Sequence, residues 1–210
     1  MEQNTQQEEY EPVNIEQLNE AADVLFGDKT SDQDREGAND FLIDFFQRKD
    51  IYLFIKEIIS NCNVKLKFIA INSFKNFVNS SWELVPEENR IDLRQYVWNL
   101  VFAENSDFDP ESQTKLVEIL VSISKYEYPS FWETFVQDLI SAADSENSCC
   151  SSLKCFEIFS QEISEFADNS LTSARAAEML NSFTKELQGV IELIQNSLSS
   201  NEQNLISQAL

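Results

Sequence analysis

Apolar residues return every three to four positions along most of the chain, and no stretch alternates with period two, so the pattern predicts helices and no sheet. Residues 1–12 are polar and acidic and predict a disordered tail. Asn14 can cap a first helix, striped by Ile15, Leu18, Ala22, Leu25 and Phe26 and closed by Gly27. Ser31 to Arg48 gives a second, packed through residues 41–46. Asp50 starts a third through Ile51, Phe54, Ile55, Ile58 and Ile59. Val64 to Ser81 gives a fourth. Its apolar face is Leu66, Ile69, Ala70, Phe74, Phe77 and Val78, and Lys65, Asn72, Asn76 and Asn79 form a polar strip. Pro86 and the Asp109-Pro110 pair open the fifth and sixth helices, because a proline costs no hydrogen bond in the first turn. The fifth continues through Leu93, Val97, Trp98, Val101 and Phe102, and the sixth through Leu116, Ile119, Leu120 and Ile123. An eighth runs over 149–166 and a ninth over 172–199.

The seventh is the most aromatic. Pro129 is placed at its start, with Ser130 and Glu133 as a capping box. Phe131, Phe135 and Leu139 recur four apart, as do Trp132, Val136 and Ile140 one position over. Two adjacent rows predict a helix over 129–143 packed on two sides, with Trp82, Trp98, Phe131 and Trp132 in the core.

Alternate helices start near 14, 50, 86, 129 and 172, spaced by about 36 to 43 residues, the helix-pair period of HEAT-type repeats. The expected fold is all-α, a HEAT-repeat-type superhelical solenoid of antiparallel helix pairs. A closed bundle is the competing arrangement.

Composition narrows the function. The chain is 42% hydrophobic with 16 Phe, three Gly and four Pro, enough for a large helical core. Its formal net charge of −22 disfavours nucleic acid, whose phosphates need Lys and Arg. The charge is uneven: net −10 over residues 1–40, +1 over 41–100 and −13 over 101–210. There is no His, no Gly-rich phosphate loop and no nucleophile beside a base, so no catalytic residue, metal site or cofactor is expected, and the chain reads as a non-enzyme. Of Cys62, Cys149, Cys150 and Cys155, only Cys155 reads as a buried apolar group, and the spacing is not that of a zinc site. No run reaches the ~18 apolar residues of a membrane span, and the acidic N-terminus resembles no targeting peptide.

Two motifs carry a resemblance. Residues 73–82, Ser-Phe-Lys-Asn-Phe-Val-Asn-Ser-Ser-Trp, resemble the Leu-Lys-Asn…Trp motif of the importin-β N-terminal domain through Lys75, Asn76 and Trp82. Residues 128–140 resemble the aromatic-Pro-x-x-Trp-x-x-Phe signature of exportin-1-like nuclear export receptors through Pro129, Trp132 and Phe135, with Tyr128 and Glu133 departing from it. The order and distances agree over roughly residues 14 to 199.

The resemblance implies importin-β N-terminal-like repeats over 13–105 and exportin-1-like repeats over 106–210. It implies a nucleocytoplasmic transport receptor that shuttles between nucleus and cytoplasm and binds the GTP form of the small GTPase Ran. Residues 64–81 would line the inner face, with Lys65, Asn72, Asn76 and Asn79 as its contact strip. A merely solvated strip is the alternative. Lys75, Trp82, Pro129, Trp132 and Phe135 are implied to be structural. Nucleoporins and export cargo would engage repeats further downstream. Such a chain would be a truncated product, a partial gene model or a degenerate paralogue. The alternative function is a stand-alone helical-repeat interaction module that has lost transport.

Overall fold

The computed structural model describes residues 13–104, 108–164 and 172–199. The expected tail at 1–12 and the end of the eighth helix, at 165–166, lie outside them. Among the described residues there are nine α-helices and no strand. The chain divides into two compact units, with the boundary at Ala70 and Ile71 inside the fourth helix.

In the first unit, α1 spans Ile15–Leu25, and the Asn14 carboxamide accepts from the Gln17 N–H at 3.1 Å, as expected of an N-cap. Gly27 follows it without a positive φ. A Cβ there would stand 2.5 Å from Thr30 Oγ1 and 3.0 Å from the Asp23 carbonyl, so close approach, not left-handed geometry, calls for glycine. Helix α2 spans Asp32–Phe46, with the Ser31 hydroxyl accepting from the Asp34 N–H. The helix expected from Asp50 is divided into a 3-10 turn at Ile51–Leu53 and α3 at Ile55–Asn61. The Asp50 carboxylate is bound by Arg48 at 2.6 and 2.9 Å and makes no capping bond. That ion pair holds its carboxyl below the usual range, although burial pulls the other way. Helix α4 spans Val64–Ser81, the bounds expected.

In the second unit, a 3-10 turn at Trp82–Leu84 leads to α5 at Glu87–Val101 and α6 at Pro110–Glu127. Pro86 stands one position outside α5, as its N-cap. Pro110 sits in the first turn of α6, and Asp109 accepts from the Glu111 and Ser112 N–H groups, both at 3.0 Å. Helix α7 spans Phe135–Ala142, α8 Glu146–Ser164 and α9 Ser173–Ser199.

The start of α7 corrects the expectation of a helix from Pro129. Residues 128–134 are a turn, and the Tyr128–Pro129 peptide is cis. The Phe131 and Trp132 N–H groups both donate back to the Glu127 carbonyl, at 2.7 and 3.0 Å, so the chain folds onto the end of α6. The Ser130 hydroxyl is turned to Glu178 of α9 instead of capping. Phe135, Val136 and Leu139 are buried, so both expected apolar rows persist from Phe135 onward.

Side-chain contacts give the helix directions in this unit. Arg94 at the middle of α5 meets Glu127 at the end of α6, and Val101 at the end of α5 accepts from Gln113 near the start of α6. That pair is therefore antiparallel. Phe135 stacks on Phe159 while Leu139 accepts from Ser152, and Phe159 stacks on Phe183 while Cys149 meets Ser197. The pairs α7/α8 and α8/α9 are thus antiparallel too. The α4, α6 and α8 helices run one way as neighbours, joined by Lys75–Glu118, Tyr126 to the Asn79 carbonyl, and Lys125–Glu162. The α7 and α9 helices run the other way, joined by Gln137–Glu186. These links between parallel neighbours span 37 to 49 residues, overlapping the 36–43 expected and running past it. Helix α6 lies between the others. It is buried on nearly every side, including Ser122, Ser124, Lys125 and Glu127, where only one apolar stripe was expected.

Candidate interaction face

Of the four expected contact residues, Asn76 and Asn79 are exposed on α4 and Asn72 is half-buried. Steps of four and three residues set these three amides in one row of the helix. Lys65, in the first unit, is exposed and paired to Asp23 at 2.8 Å. Beside the row, Lys75 binds Glu118 of α6 at 2.7 Å, and Lys115 binds the same oxygen at 3.0 Å. Burial pushes the Glu118 carboxyl up, but the two ammonium groups outweigh it and hold it ionised below its ordinary value. The row therefore borders a small network in which two ammonium groups share one carboxylate.

The remaining motif residues converge behind this face. Trp82 is fully buried and its indole N–H donates to Glu127 Oε1 at 3.2 Å. Arg94 donates to the other oxygen of Glu127 and lies 4.8 Å over the Trp132 ring. Trp132 is 7% exposed, and its indole N–H donates to Asp138 at 2.7 Å. Phe135 stacks on it at 4.8 Å. Pro129 is half-buried in the turn. Burial raises the Tyr128 phenol to about 12, so it stays a neutral core ring. The two motif tryptophans thus meet through one buried carboxylate and one guanidinium.

Neither Glu127, Arg94 nor Arg175 was expected here. Arg175 of α9 donates to the Lys125, Tyr126 and Tyr128 carbonyls and to Ser130, meeting acceptors that the end of α6 leaves open. Glu127 does leave a trace in the sequence, for it stands four residues after Ile123 in the apolar row. A charge in such a row marks a buried, paired carboxylate.

Two core expectations are corrected. Phe131 is 61% exposed, because the turn directs it outward, where the Arg90 guanidinium lies 5.4 Å over its ring. Trp98 is half-buried, between Phe102 and Trp132. Cys155 is buried as expected, and Cys149 proves equally internal, packed with Leu153, Leu193 and Ile194. Among the described residues no group of Cys, Asp or Glu is arranged to hold a metal ion, and no helix is long and apolar enough to cross a membrane.

The family model "Importin-beta N-terminal domain" matches residues 38–103, and "Exportin 1-like protein" matches residues 111–210. Protein EXPORTIN 1A of Arabidopsis thaliana is 27% identical over 208 residues, which is 95% of this chain and 19% of that protein. Exportin-1 of Dictyostelium discoideum is 25% identical over 190 residues, 87% of this chain and 18% of that protein. Among solved structures, "The exportin Cse1 in its cargo-free, cytoplasmic state" matches 92% of this chain and 22% of its own with a TM-score of 0.57, at 16% identity. The fold class is therefore the helical-repeat solenoid that was expected. The chain spans about a fifth of the length of the curated relatives it matches.

Proposed function

Because this chain is an exportin-1-like N-terminal region of the importin-β superfamily, we propose that it is the Ran-GTP-binding part of a nuclear export receptor that shuttles between nucleus and cytoplasm. The repeats over 13–105 form the importin-β-like part in this reading, and those from 106 the exportin-like part. Nucleoporins and export cargo are engaged by repeats beyond it.

The observation that supports this most is the amide row on α4. Asn76 and Asn79 present their side chains to solvent, and their neighbouring cation Lys75 is already paired to Glu118. Such a surface offers donors and acceptors without strong charge, within the segment 41–100 whose net charge is +1. An acidic partner is not repelled there as it is by the rest of the chain. Lys65 adds a cation in this reading, released from Asp23 on contact.

Ran loaded with GTP or with GDP is titrated against the wild-type chain, against Asn72→Asp/Asn76→Asp/Asn79→Asp, and against Asn76→Asp/Asn79→Asp, which alters only exposed side chains. The expected result is preference for the GTP form, weakened at least tenfold in both variants, with thermal melts unchanged. Equal binding of the two nucleotide states, or none, favours a stand-alone interaction module instead.

A further inference from the structure

A cavity of about 590 Å³ lies in the second unit, between α5, the turn at 131–134 and α7. That is within the ~300–1,000 Å³ of ligand sites. Arg94 and Trp98 of α5 line one side, Phe131, Trp132 and Glu133 of the turn another, and Asp138 of α7 a third. The rings at this place already hold guanidinium groups. Arg94 lies 4.8 Å over Trp132, and Arg90, outside the cavity, lies 5.4 Å over Phe131. Arg90 covers only one face of Phe131, which is 61% exposed. Trp98 is half-buried and meets Trp132 edge-on at 5.7 Å, so it adds a third ring.

The carboxylates of the cavity are not used up in the same way. Asp138 accepts from the Trp132 indole and the Thr134 hydroxyl through Oδ2 alone, and its Oδ1 meets no donor among the described residues. Glu133 is exposed and paired to no described residue. The one cation of the lining, Arg94, is committed to Glu127. Helix α5 and residues 131–144 together hold six acids, Glu87, Glu88, Asp92, Glu133, Asp138 and Asp144, against two bases, Arg90 and Arg94. A purely apolar guest would strand the Asp138 oxygen without water or donor. An anion would meet two carboxylates. A planar cation answers both kinds of wall, since it stacks on rings and forks to carboxylates. We propose that this cavity is a docking site for an arginine side chain carried on a basic segment of a partner protein.

The incoming guanidinium stacks against Phe131 and Trp98 and donates to Asp138 Oδ1, with Glu133 as its second anion. A lysine ammonium gains the charge but neither the stacking nor the fork. The chain carries a net charge of −22, so it draws a basic segment from a distance, and salt weakens the complex. The site uses α5 and α7 and does not depend on the Ran reading, which uses α4.

Two-dimensional NMR of the indole N–H groups of the whole chain tests it, because the three tryptophans give three probes. The titrant is the capped peptide Gly-Ser-Arg-Gly-Arg-Ser-Gly. The Trp98 and Trp132 signals are expected to shift together and to saturate with a Kd of about 1 mM at low salt, several-fold weaker in high salt. The Trp82 signal, held by Glu127 in the core, should move least. Phe131→Ala and Glu133→Gln alter exposed side chains, and each should weaken binding at least ~threefold with unchanged thermal melts. Asp138→Asn keeps an oxygen for Trp132 and should abolish binding. Peptides with citrulline or phenylalanine in place of arginine should not bind, and a lysine peptide should bind several-fold more weakly. No shift at Trp98 and Trp132, equal binding of the citrulline, phenylalanine or lysine peptide, strengthening by salt, or indifference to Phe131→Ala and Glu133→Gln would overturn the proposal.

Discussion

The Glu127 carboxylate is 2% exposed and both its oxygens are met, one by the Trp82 indole N–H and the other by Arg94. Removing it strands a guanidinium that is itself only 19% exposed. Glu127→Ala is expected to destabilise the chain by ~3–5 kcal/mol, the scale for breaking one half of a buried pair. Trp132→Ala is expected to cost ~3–5 kcal/mol through lost burial and the cavity left behind. Because Arg94 touches both groups, the double variant should depart from the sum of the two by ~0.5–3 kcal/mol. Urea unfolding measures all three. A loss below ~1 kcal/mol for either single change would place that side chain at the surface.

At the scale of the element, α6 depends on the cap at its start. Asp109 meets two N–H groups with one oxygen and the Ser112 hydroxyl with the other, and these bonds hold its carboxyl below the ordinary range. Asp109→Ala is expected to cost ~1–2 kcal/mol by thermal or urea melt. A change within the ~0.5 kcal/mol of ordinary surface sites would mean that water replaces the cap freely. Caps also show how far the sequence could be read. Asn14, Ser31 and Asp109 start helices where local pattern placed them, since nothing else competes for their oxygens. Asp50 and Ser130 have the same local chemistry but are held by Arg48 and Glu178, and no α-helix starts directly beside them as foreseen. The exposed amides of α4 were legible because a polar strip shows in helical spacing. The Glu127–Arg94 pair and the Arg175 contacts were not, because their partners lie 33 and up to 50 residues away. Phe131 was misjudged because its spacing fits the buried row, while the turn before α7 removes it from the helix that spacing assumes.

At the scale of the whole molecule, charge is distributed so that the 41–100 segment alone stays near neutrality, between flanks of −10 and −13. The α4 face therefore lies in the near-neutral part of the chain, beside a carboxylate shared by two ammonium groups. The links joining parallel helices of the second unit carry a different consequence. None of those described reaches beyond 49 residues, so each helix pair is coupled to its neighbours and to little else. In such an array cooperativity decays with distance, and unfolding is not all-or-none. Closing a loop of that length costs only a few RT in chain entropy, so the pairs can form in sequence around any nucleus. Amide hydrogen exchange should then report a gradient, with α9 opening in events that leave α4 and α6 protected, and uniform exchange through one global opening would contradict it. Damage would stay local, and a lesion in the later turns of α9, away from Arg175 and its bonds to the end of α6, would be felt in α7 and α8 before it reached the tryptophan beside α4.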